Sequence, residues 1–459
     1  MFSFLNYNCR LLIQRIFHYE ADFYICLYSD PYWKSLPMAT AAASLLRISP
    51  LSAKECPRFL FLQSKRILAT TPLMPVRDEP KFIVNPAAKE PKEKKTTIKR
   101  KTRRTPLESE MRARLGDKWV KERRAQFDKS CFLANTEIAE LVASYLQEDI
   151  KENRFILEAN PGFGYLSQRL LQMGCRHLYL YAARDSIFLP SLLKLADTHP
   201  TTVRLIHENI LKLNTMLVCD SVTASNREKA CFSGLPIQTD WSLPPKATLF
   251  ASLTRTTEMG FLRSLLYMIP SRTGLFQLGP VELLVFMSSH EYQIMNAGRA
   301  PNESRSLLRT YPVLYSLLTE NKLLTTVDSS NFLSIKSTKA LRDDELHLVR
   351  LRPKVDLSNV ITPPDRFEEF VFFLKQGLLR GTTVSQCLDM WIPQAYRHVL
   401  VEKTKPDSLL YDLYFCDKLS SLSPEQIVEL FRIFRSHEMF EHSSFKIAMQ
   451  SDRYVPNEV

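Results

Sequence analysis

The stretch from Phe155 to Ser167 contains the residues best placed to do chemistry. It reads Phe-Ile-Leu-Glu-Ala-Asn-Pro-Gly-Phe-Gly-Tyr-Leu-Ser. The apolar run predicts a buried strand, with Glu158 at its carboxyl end, where α/β folds bind their ligands. Gly162 and Gly164 would let the backbone approach a ligand more closely than a Cβ allows. The pattern indicates the first strand–turn–helix unit of a nucleotide-binding α/β domain, with a plain tight turn as the alternative.

Strands and helices are expected to alternate through the middle of the chain. Further strands are predicted at 178–181, 203–206, 247–250 and 281–286, with closing strands at 323–327 and 347–351. Helical periodicity separates these runs, and such alternation is typical of a parallel sheet. Asn135 or Thr136 is expected to cap a helix before the first strand. Residues 214–246, rich in Ser, Asn and Pro, are expected to form a surface insertion.

After Pro363-Pro364 the pattern becomes helical. Helices are predicted at 367–379, 384–391, 409–419 and 424–436, the last opened by Ser423 and Pro424. Trp391, Tyr411 and Tyr414 are expected in the core of this region rather than as base-stacking platforms. The globular part is therefore predicted to hold two domains, an α/β domain at 127–360 and a small all-helical domain at 361–459.

The positive charge of the chain is concentrated near its N-terminus. The net charge is +12 over 459 residues, and the excess falls within residues 1–126. From Met38 onward the sequence is rich in Arg, Ala and Ser and poor in acids, which is typical of a mitochondrial transit peptide. We predict that residues 1–75 are an N-terminal extension and transit peptide, with Met38 as the true start. A merely disordered N-terminus is the alternative.

A basic linker is predicted at residues 76–126. Its centre, residues 92–104, contains eight cations in thirteen positions. Such a run cannot bury itself, and it would bind nucleic-acid phosphates with a steep salt dependence. The residues expected to make these contacts are Lys99, Arg100, Lys101, Arg103 and Arg104. A solvated tail without a dedicated partner is the alternative.

Cysteine usage and hydropathy exclude several classes of protein. The nine cysteines form no C-x-x-C pair, so neither a zinc site nor a disulfide framework is expected, and a metal site is not predicted. No apolar run approaches about 18 residues, so a membrane span is not expected.

Four motifs, in order, resemble those of the ribosomal RNA adenine dimethyltransferases. They are Cys131–Leu133, Leu157–Gly164, Phe286–Ala297 and His347–Pro353. More narrowly, the chain resembles the mitochondrial relatives known as mitochondrial transcription factor B, second paralogue. The resemblance implies an α/β fold: a Rossmann-like S-adenosylmethionine-dependent methyltransferase domain with a small all-helical C-terminal domain. It also implies cofactor-binding positions, which are Leu133, Glu158, Asn160, Gly162, Gly164, Ala183, Asn209 and Ser252.

Several of these positions depart from the family pattern. Asn160 stands where catalytic members have their first glycine. Ala183 stands where an acid binds the ribose hydroxyls, and Asp185 would have to reach back to replace it. Asn209 stands where an Asp accepts from the adenine amino group. Its amide oxygen still accepts a hydrogen bond, and a one-residue shift that brings Glu208 into this place is the alternative.

The reacting motif departs furthest. Catalytic members use Asn-Leu-Pro-Tyr or Phe, in which the Asn and the aromatic ring position the target adenine. Here Ser252 replaces the Asn, Thr254 the Pro and Arg255 the aromatic ring. A serine hydroxyl cannot make the same paired contact, so no catalytic residue is intact and dimethylation is expected to be weak or absent.

The family resemblance implies two competing functions. The first is a transcription initiation factor of the mitochondrial matrix nucleoid, which assists the mitochondrial RNA polymerase in melting promoter DNA. The second is dimethylation of adjacent adenines in the small-subunit mitochondrial rRNA, with S-adenosylmethionine as cofactor. A mitoribosome-assembly protein that binds rRNA without chemistry is a third. The motif losses favour the first.

Overall fold

The structure is a computed structural model of the 459-residue chain. It describes residue 113 and residues 131–223, 225–253, 257–297, 310–334, 345–357, 361, 364–379, 382–404 and 408–452. The predicted transit peptide and, apart from residue 113, the basic linker lie outside these described residues, as do the five predicted phosphate contacts from Lys99 to Arg104.

The centre of the fold is a seven-stranded mixed sheet. Its strands are β2 (Phe155–Ala159), β3 (Leu178–Tyr181), β4 (Val203–Ile206), β5 (Ala247–Ser252), β6 (Glu282–Ser288), β7 (Thr319–Asp328) and β9 (Glu345–Pro353). Their order is β4-β3-β2-β5-β6-β9-β7. The predicted parallel pairing is confirmed for β2 to β6. It is wrong for β9, which lies between β6 and β7 and runs antiparallel to both of them.

A separate two-stranded sheet pairs β1 (Cys131–Leu133) with β8 (Phe332–Ser334). The helices around both sheets are α1 (Thr136–Tyr145), α2 (Gln147–Lys151), α3 (Tyr165–Gln172), α4 (Leu189–Thr198), α5 (Leu213–Thr223), α6 (Arg227–Phe232), α7 (Arg263–Ser271), α8 (Ser289–Ala297) and α9 (Thr310–Leu318). The predicted cap of α1 is confirmed, since the Asn135 side chain accepts from the backbone N–H of Glu137.

The sheet is covered on both faces, as its nearly continuous apolar strands require. Ile156, Leu180 and Phe250 belong to one buried cluster, which includes β1, α1 and α3. Their strand neighbours Leu157 and Leu249 belong to the other cluster, which includes α5, α6 and α7. Alternate residues of each strand therefore enter opposite cores. The predicted Rossmann-like α/β class is confirmed.

The predicted surface insertion at 214–246 is wrong. This segment forms α5 and α6, and it buries Met216, Phe232 and Trp241 against the sheet. The Tyr181 hydroxyl at the end of β3 donates to the Cys231 carbonyl at 2.9 Å. The apolar residues of the segment, such as the consecutive run at 216–219, follow neither a period of 3.6 nor one of 2, so tertiary contacts decide which of them are buried.

Helices make up the C-terminal region. They are α10 (Pro364–Leu379), α11 (Val384–Asp389), α12 (Ala395–Lys403), α13 (Pro424–Arg435) and α14 (Ser444–Asp452). The helices predicted at 367–379, 384–391 and 424–436 are confirmed, and Ser423 forms a capping box with Gln426. The sequence did not predict α12 and α14.

The helix predicted at 409–419 is wrong, because this segment is a loop. Leu410 and Leu413 anchor it in the core, and the Asp417 side chain accepts from the backbone N–H of Tyr414 at 2.9 Å. Such side-chain bonds compete with helical ones. Trp391 is buried, as predicted. Tyr411 and Tyr414 are 73% and 69% exposed, so their assignment to the core is wrong.

Within the described part of the chain, no helix combines the length and the hydropathy needed to cross a membrane.

Candidate functional site

The turn after β2 is built on three left-handed residues. Asn160, Gly162 and Gly164 have φ angles of +54°, +58° and +77°. Glycine adopts such angles without cost, and Asn is among the few other residues that tolerate them. Asn160 therefore adopts the left-handed conformation without a glycine, and its backbone N–H donates to the Tyr181 carbonyl at 3.1 Å. The turn passes the chain from β2 into α3.

Gly162 also allows a close approach. A Cβ at this position would lie 3.3 Å from the Cβ of Phe132 in β1, which is tighter than ordinary packing. Leu133 is buried beside this contact. The Phe188 ring lies 4.8 Å from the rings of both Phe132 and Phe163, measured between centroids. The strand β1 and this aromatic cluster thus pack directly on the glycine turn.

Glu158 is a buried acid at the end of β2. It is 2% exposed, and the Ser167 hydroxyl of α3 donates to its Oε2 at 2.6 Å. Burial raises the pKa of Glu158 to about 8, and the hydrogen bond from Ser167 opposes this rise only in part. A cationic ligand group beside this carboxyl would favour its ionised form.

The carboxyl ends of β3 and β4 have fewer free polar groups with which to bind a nucleoside. Ala183 lies in a turn closed by the Ser186 N–H, and Asp185 is exposed in the same turn. The Asn209 Oδ1 accepts from the backbone N–H of Leu211 at 3.1 Å and so caps a short 3-10 helix. The alternative in which Glu208 replaces Asn209 is disfavoured.

Glu208 already has a partner. Its two carboxylate oxygens accept from the Arg227 guanidinium of α6 at 3.0 and 2.5 Å. A carboxylate held in this bidentate pair would have to break it to bind an adenine amino group.

Ser252 ends β5 beside the glycine turn. Ala159 pairs with Ala251, so the parallel register brings Ser252 alongside Asn160. Ser252 is 3% exposed, and its hydroxyl has no hydrogen-bond partner within the described structure; the Asn160 Nδ2 is likewise buried without one. Thr254 and Arg255, the other two reacting-motif positions, lie outside the described residues.

Sequence reasoning missed a buried polar network next to β5 and β6. The Glu258 carboxylate accepts from the Ser288 N–H at 2.5 Å and from its hydroxyl at 2.8 Å. The Tyr315 hydroxyl donates to Glu291 at 3.0 Å, and burial raises the pKa of Tyr315 well above its ordinary value. The sequence contains no clear signal for this network, because Glu258 and Glu291 both have polar neighbours in the chain and their burial depends on tertiary contacts. This network fixes the end of β6 and the start of the helix that follows it.

Comparisons with known proteins agree with this architecture. The sequence profile of the family "Ribosomal RNA adenine dimethylase" matches residues 121–402, more than half of the chain. The chain belongs to the ribosomal RNA adenine dimethylase family. The family resemblance predicted from the motifs is thereby confirmed.

Similar curated proteins include two mitochondrial ones. "Dimethyladenosine transferase 2, mitochondrial" of Homo sapiens is 24% identical over 325 residues, which cover 68% of this chain and 79% of that protein. The Bos taurus protein of the same name is 25% identical over 297 residues, covering 62% and 73%. These names match the predicted resemblance to the second mitochondrial paralogue.

An rRNA methylase from Streptococcus thermophilus is among the similar solved structures. It is 10% identical, covers 46% of this chain and 94% of its own, and has a TM-score of 0.25. A score this low carries no argument about function.

S-adenosylmethionine is the cofactor of the dimethylase family, and the residues at this site fit one part of that molecule. The structure brings Glu158, Asn160, Gly162, Gly164 and Ser252 together at the carboxyl ends of β2 and β5, with Leu133 behind Gly162. The unpartnered groups of Asn160 and Ser252 fit a polar ligand, because buried polar groups in proteins normally have partners. Ala183 and Asn209 follow the two strands beyond, where the resemblance predicts contacts with the ribose and the adenine; Ala183 has no polar side-chain atom, and the Asn209 Oδ1 already accepts from Leu211.

Proposed function

We propose that this protein is a transcription initiation factor built on a degenerate dimethylase scaffold. It would assist the mitochondrial RNA polymerase in melting promoter DNA, and it would act in the nucleoid of the mitochondrial matrix. The observation that carries the proposal is Ser252, a buried serine without a hydrogen-bond partner at the end of β5, where the family's reacting motif begins. The relatives' mitochondrial names support the compartment.

The physical argument rests on what the reacting site must do. Adenine methylation requires the target nitrogen to be held in line with the methyl group, and small errors of position cost large factors in rate. The Ser252 side chain is shorter than Asn and has one hydroxyl in place of a donor–acceptor amide. A scaffold that keeps its fold but loses this contact can still bind nucleic acid, because phosphate contacts do not need the reacting motif.

The basic run at Lys99–Arg104 supports binding to DNA. Five cations in six residues would release several counterions on binding, which makes affinity fall steeply with salt. We propose that this arm contacts phosphates while the cleft of the α/β domain at 127–360 holds separated strands. The helical domain at 361–459 would complete this surface.

Run-off transcription with the mitochondrial RNA polymerase tests the proposal. On duplex promoter DNA the protein is expected to raise transcript yield several-fold, and on a template already melted over the start site the gain is expected to vanish. A variant with Lys99, Arg100, Lys101, Arg103 and Arg104 changed to Gln should lose most of the gain at low salt, and the difference from the natural chain should shrink as salt rises. Equal yields with and without the protein on duplex DNA would refute the proposed function.

The second candidate is dimethylation of adjacent adenines in the small-subunit mitochondrial rRNA. The observation that favours it is the intact turn at Asn160–Gly164 beside the buried Glu158. When bound, S-adenosylmethionine would supply an activated methyl group.

Transfer of a labelled methyl group to the rRNA hairpin separates the two candidates. We expect no transfer by the natural chain. A triple variant, Ser252→Asn, Thr254→Pro and Arg255→Phe, restores the family motif and serves as the comparison. Transfer by the natural chain at a rate similar to the triple variant would support the enzyme.

A further inference from the structure

Two buried polar groups without partners belong to residues at the carboxyl ends of the adjacent strands β2 and β5. The Asn160 Nδ2 and the Ser252 hydroxyl both lack a hydrogen bond within the described residues and are closed to solvent. Neighbouring strands are about 5 Å apart, and the register of β2 and β5 places these two residues side by side. Leaving one such group unpaired is costly, so an adjacent pair of them indicates a missing ligand.

Asn160 is more than a substitute for glycine. Its φ of +54° could be adopted by glycine with no strain. The hydrogen bond from its backbone N–H to Tyr181 fixes the backbone whichever side chain is present. What Asn adds at this position is an amide, and the donor end of that amide is the end without a partner. The side chain therefore contributes something that the turn itself does not need.

The chemistry of the two groups selects an anion. An amide N–H₂ only donates, and a serine hydroxyl can donate. The helix α3 starts directly after the turn at Gly164, and its N-terminus has no side-chain cap. Two donors beside the positive end of a helix suit a carboxylate.

Glu158 supplies the opposite charge. It lies two residues before Asn160 on β2, and it pairs in register with Phe250. Since Phe250 and Ser252 alternate with Ala251, the side chains of Glu158 and Ser252 are on the same face of the sheet. A carboxyl next to two donors matches an ammonium next to a carboxylate, which is the charge pattern of an α-amino acid.

The nucleoside side of the site has no comparable set. Ala183 offers a methyl group in place of an acid, and the Asn209 Oδ1 is engaged with Leu211. We propose that the site recognises its cofactor through the amino-acid half, with Asn160 and Ser252 holding the carboxylate and Glu158 the ammonium group. Most of the binding free energy of the cofactor would then come from contacts with its amino-acid half, and little from contacts with its nucleoside. The proposal rests on the cofactor of the family and not on the role in transcription.

Calorimetric titration of the full chain with two ligands tests it. S-adenosylhomocysteine contains the amino-acid half, and 5′-methylthioadenosine has the same nucleoside without it. We expect S-adenosylhomocysteine to bind at least about ten-fold more tightly. Asn160→Gly and Ser252→Ala should each weaken it about ten-fold, which is the loss of one hydrogen bond to a charged group, and leave 5′-methylthioadenosine unaffected.

The matched control is Asn153→Gly. Asn153 also has a left-handed φ, +55°, but its side chain is exposed in the turn before β2. This variant should bind S-adenosylhomocysteine as the natural chain does. Equal affinity for the two ligands would overturn the proposal, and so would natural affinity in Asn160→Gly or no binding of S-adenosylhomocysteine at millimolar concentration.

A second measurement needs no ligand. Because the Ser252 hydroxyl is buried and unpaired, Ser252→Ala should leave the thermal midpoint of the ligand-free protein unchanged or raise it. A lowered midpoint would mean that the hydroxyl is satisfied within the protein, and it would overturn the assignment of Ser252. None of these outcomes predicts the result of the run-off assay, so each proposal can fail alone.

Discussion

Glu158 combines complete burial with a single hydrogen bond from Ser167. Among the residues that the structure describes, most buried acids are paired with arginine or lysine, for example Asp149, Glu282 and Glu369. Glu158 is instead held by a hydroxyl, and burial raises its pKa to about 8. Its protonation is therefore linked to folding over the physiological pH range.

The raised pKa of Glu158 predicts how the stability of the fold changes with pH. In the unfolded chain the carboxyl ionises near its ordinary pKa of 4.5, whereas in the folded chain it keeps its proton up to about 8. Its contribution to stability is complete below pH 4.5 and is lost as pH rises toward 8, by up to about 1.4 kcal/mol per pH unit. Glu158→Gln, which is neutral at every pH, should remove this loss.

Denaturant unfolding at pH 5, 6, 7 and 8 measures the effect. The free energy of unfolding of Glu158→Gln should fall less steeply with pH than that of the natural chain, and the variant should be the more stable protein at pH 8. Glu140→Gln, at an exposed position of α1, is the control and should follow the natural curve. Parallel curves for natural chain and Glu158→Gln would show that Glu158 is not protonated in the folded state.

At the scale of elements, an alanine in the glycine turn can lower stability in two ways, through a strained backbone conformation and through steric overlap with β1. Gly162 and Gly174 both have left-handed φ angles, +58° and +87°. A Cβ at Gly162 would meet Phe132 at 3.3 Å, while one at Gly174 would meet nothing within 4 Å. An alanine at either position would be left-handed, which lowers the free energy of unfolding by about 1–2 kcal/mol. Only the alanine at Gly162 would also have to displace β1.

Gly162→Ala should therefore cost more than Gly174→Ala. The additional loss is expected to be about 1–3 kcal/mol in the free energy of unfolding, as in other overpacked cores. Chemical denaturation of the two variants provides the comparison. If the two losses were equal, β1 would not be packed on the turn as tightly as the structure has it.

A second element-scale feature lies at the opposite edge of the sheet, where β2, β5 and β6 begin. Arg154 is 10% exposed there, and its Nη1 donates to Asp149 at 2.8 Å and to Glu282 at 2.7 Å. Arg350 of β9 reaches the same two acids at 3.0 and 3.4 Å. The network ties α2 and the antiparallel strand β9 to the parallel strands.

Arg154→Met removes one cation and leaves two buried acids short of a partner. Breaking such buried pairs costs about 3–5 kcal/mol, and the lower end is expected because Arg350 remains. Arg432→Met is the matched control. Its pair with Glu429 is on the surface, with Arg432 46% exposed, and such pairs contribute at most about 1 kcal/mol. Urea unfolding measures the loss in free energy of unfolding for both variants. Similar losses would mean that the buried network contributes no more to stability than a surface ion pair.

At the scale of the whole molecule, local patterns predicted the α/β part well. The strands Leu178–Tyr181 and Val203–Ile206 have the predicted bounds, because short apolar runs and their turns are local signals. Segments whose burial depends on distant partners were missed, as in α5, α6 and the loop at Tyr411. The same limit applies to the site. The glycine turn was evident, but only the register of β2 with β5 brings Asn160 beside Ser252.

The core also bears on whether the two predicted domains unfold separately. One buried cluster contains Leu283 and Val285 of β6 together with Phe431 and Phe434 of α13. The helix α9 contributes Val313, Leu314 and Leu318 to the same cluster, and it contacts both the sheet strand β7 and α13. Tyr267 of α7 packs against Phe367 of α10, with ring centroids 5.7 Å apart. A continuous core of this kind predicts that the sheet and the C-terminal helices unfold as one cooperative unit.

Phe434→Ala tests this cooperativity. Phe434 is 1% exposed, and its ring packs against those of Phe373, Phe440 and Phe445 at 5.4 to 5.6 Å. Its truncation should cost about 3–5 kcal/mol. If the core is continuous, the slowest-exchanging amides of β6 should lose as much hydrogen-exchange protection as those of α13, although β6 is distant from the mutation. Tyr411→Ala, in the same region but 73% exposed, should change neither. Loss of protection confined to α10–α14 would instead mean that residues 361–459 unfold on their own, as a separate domain.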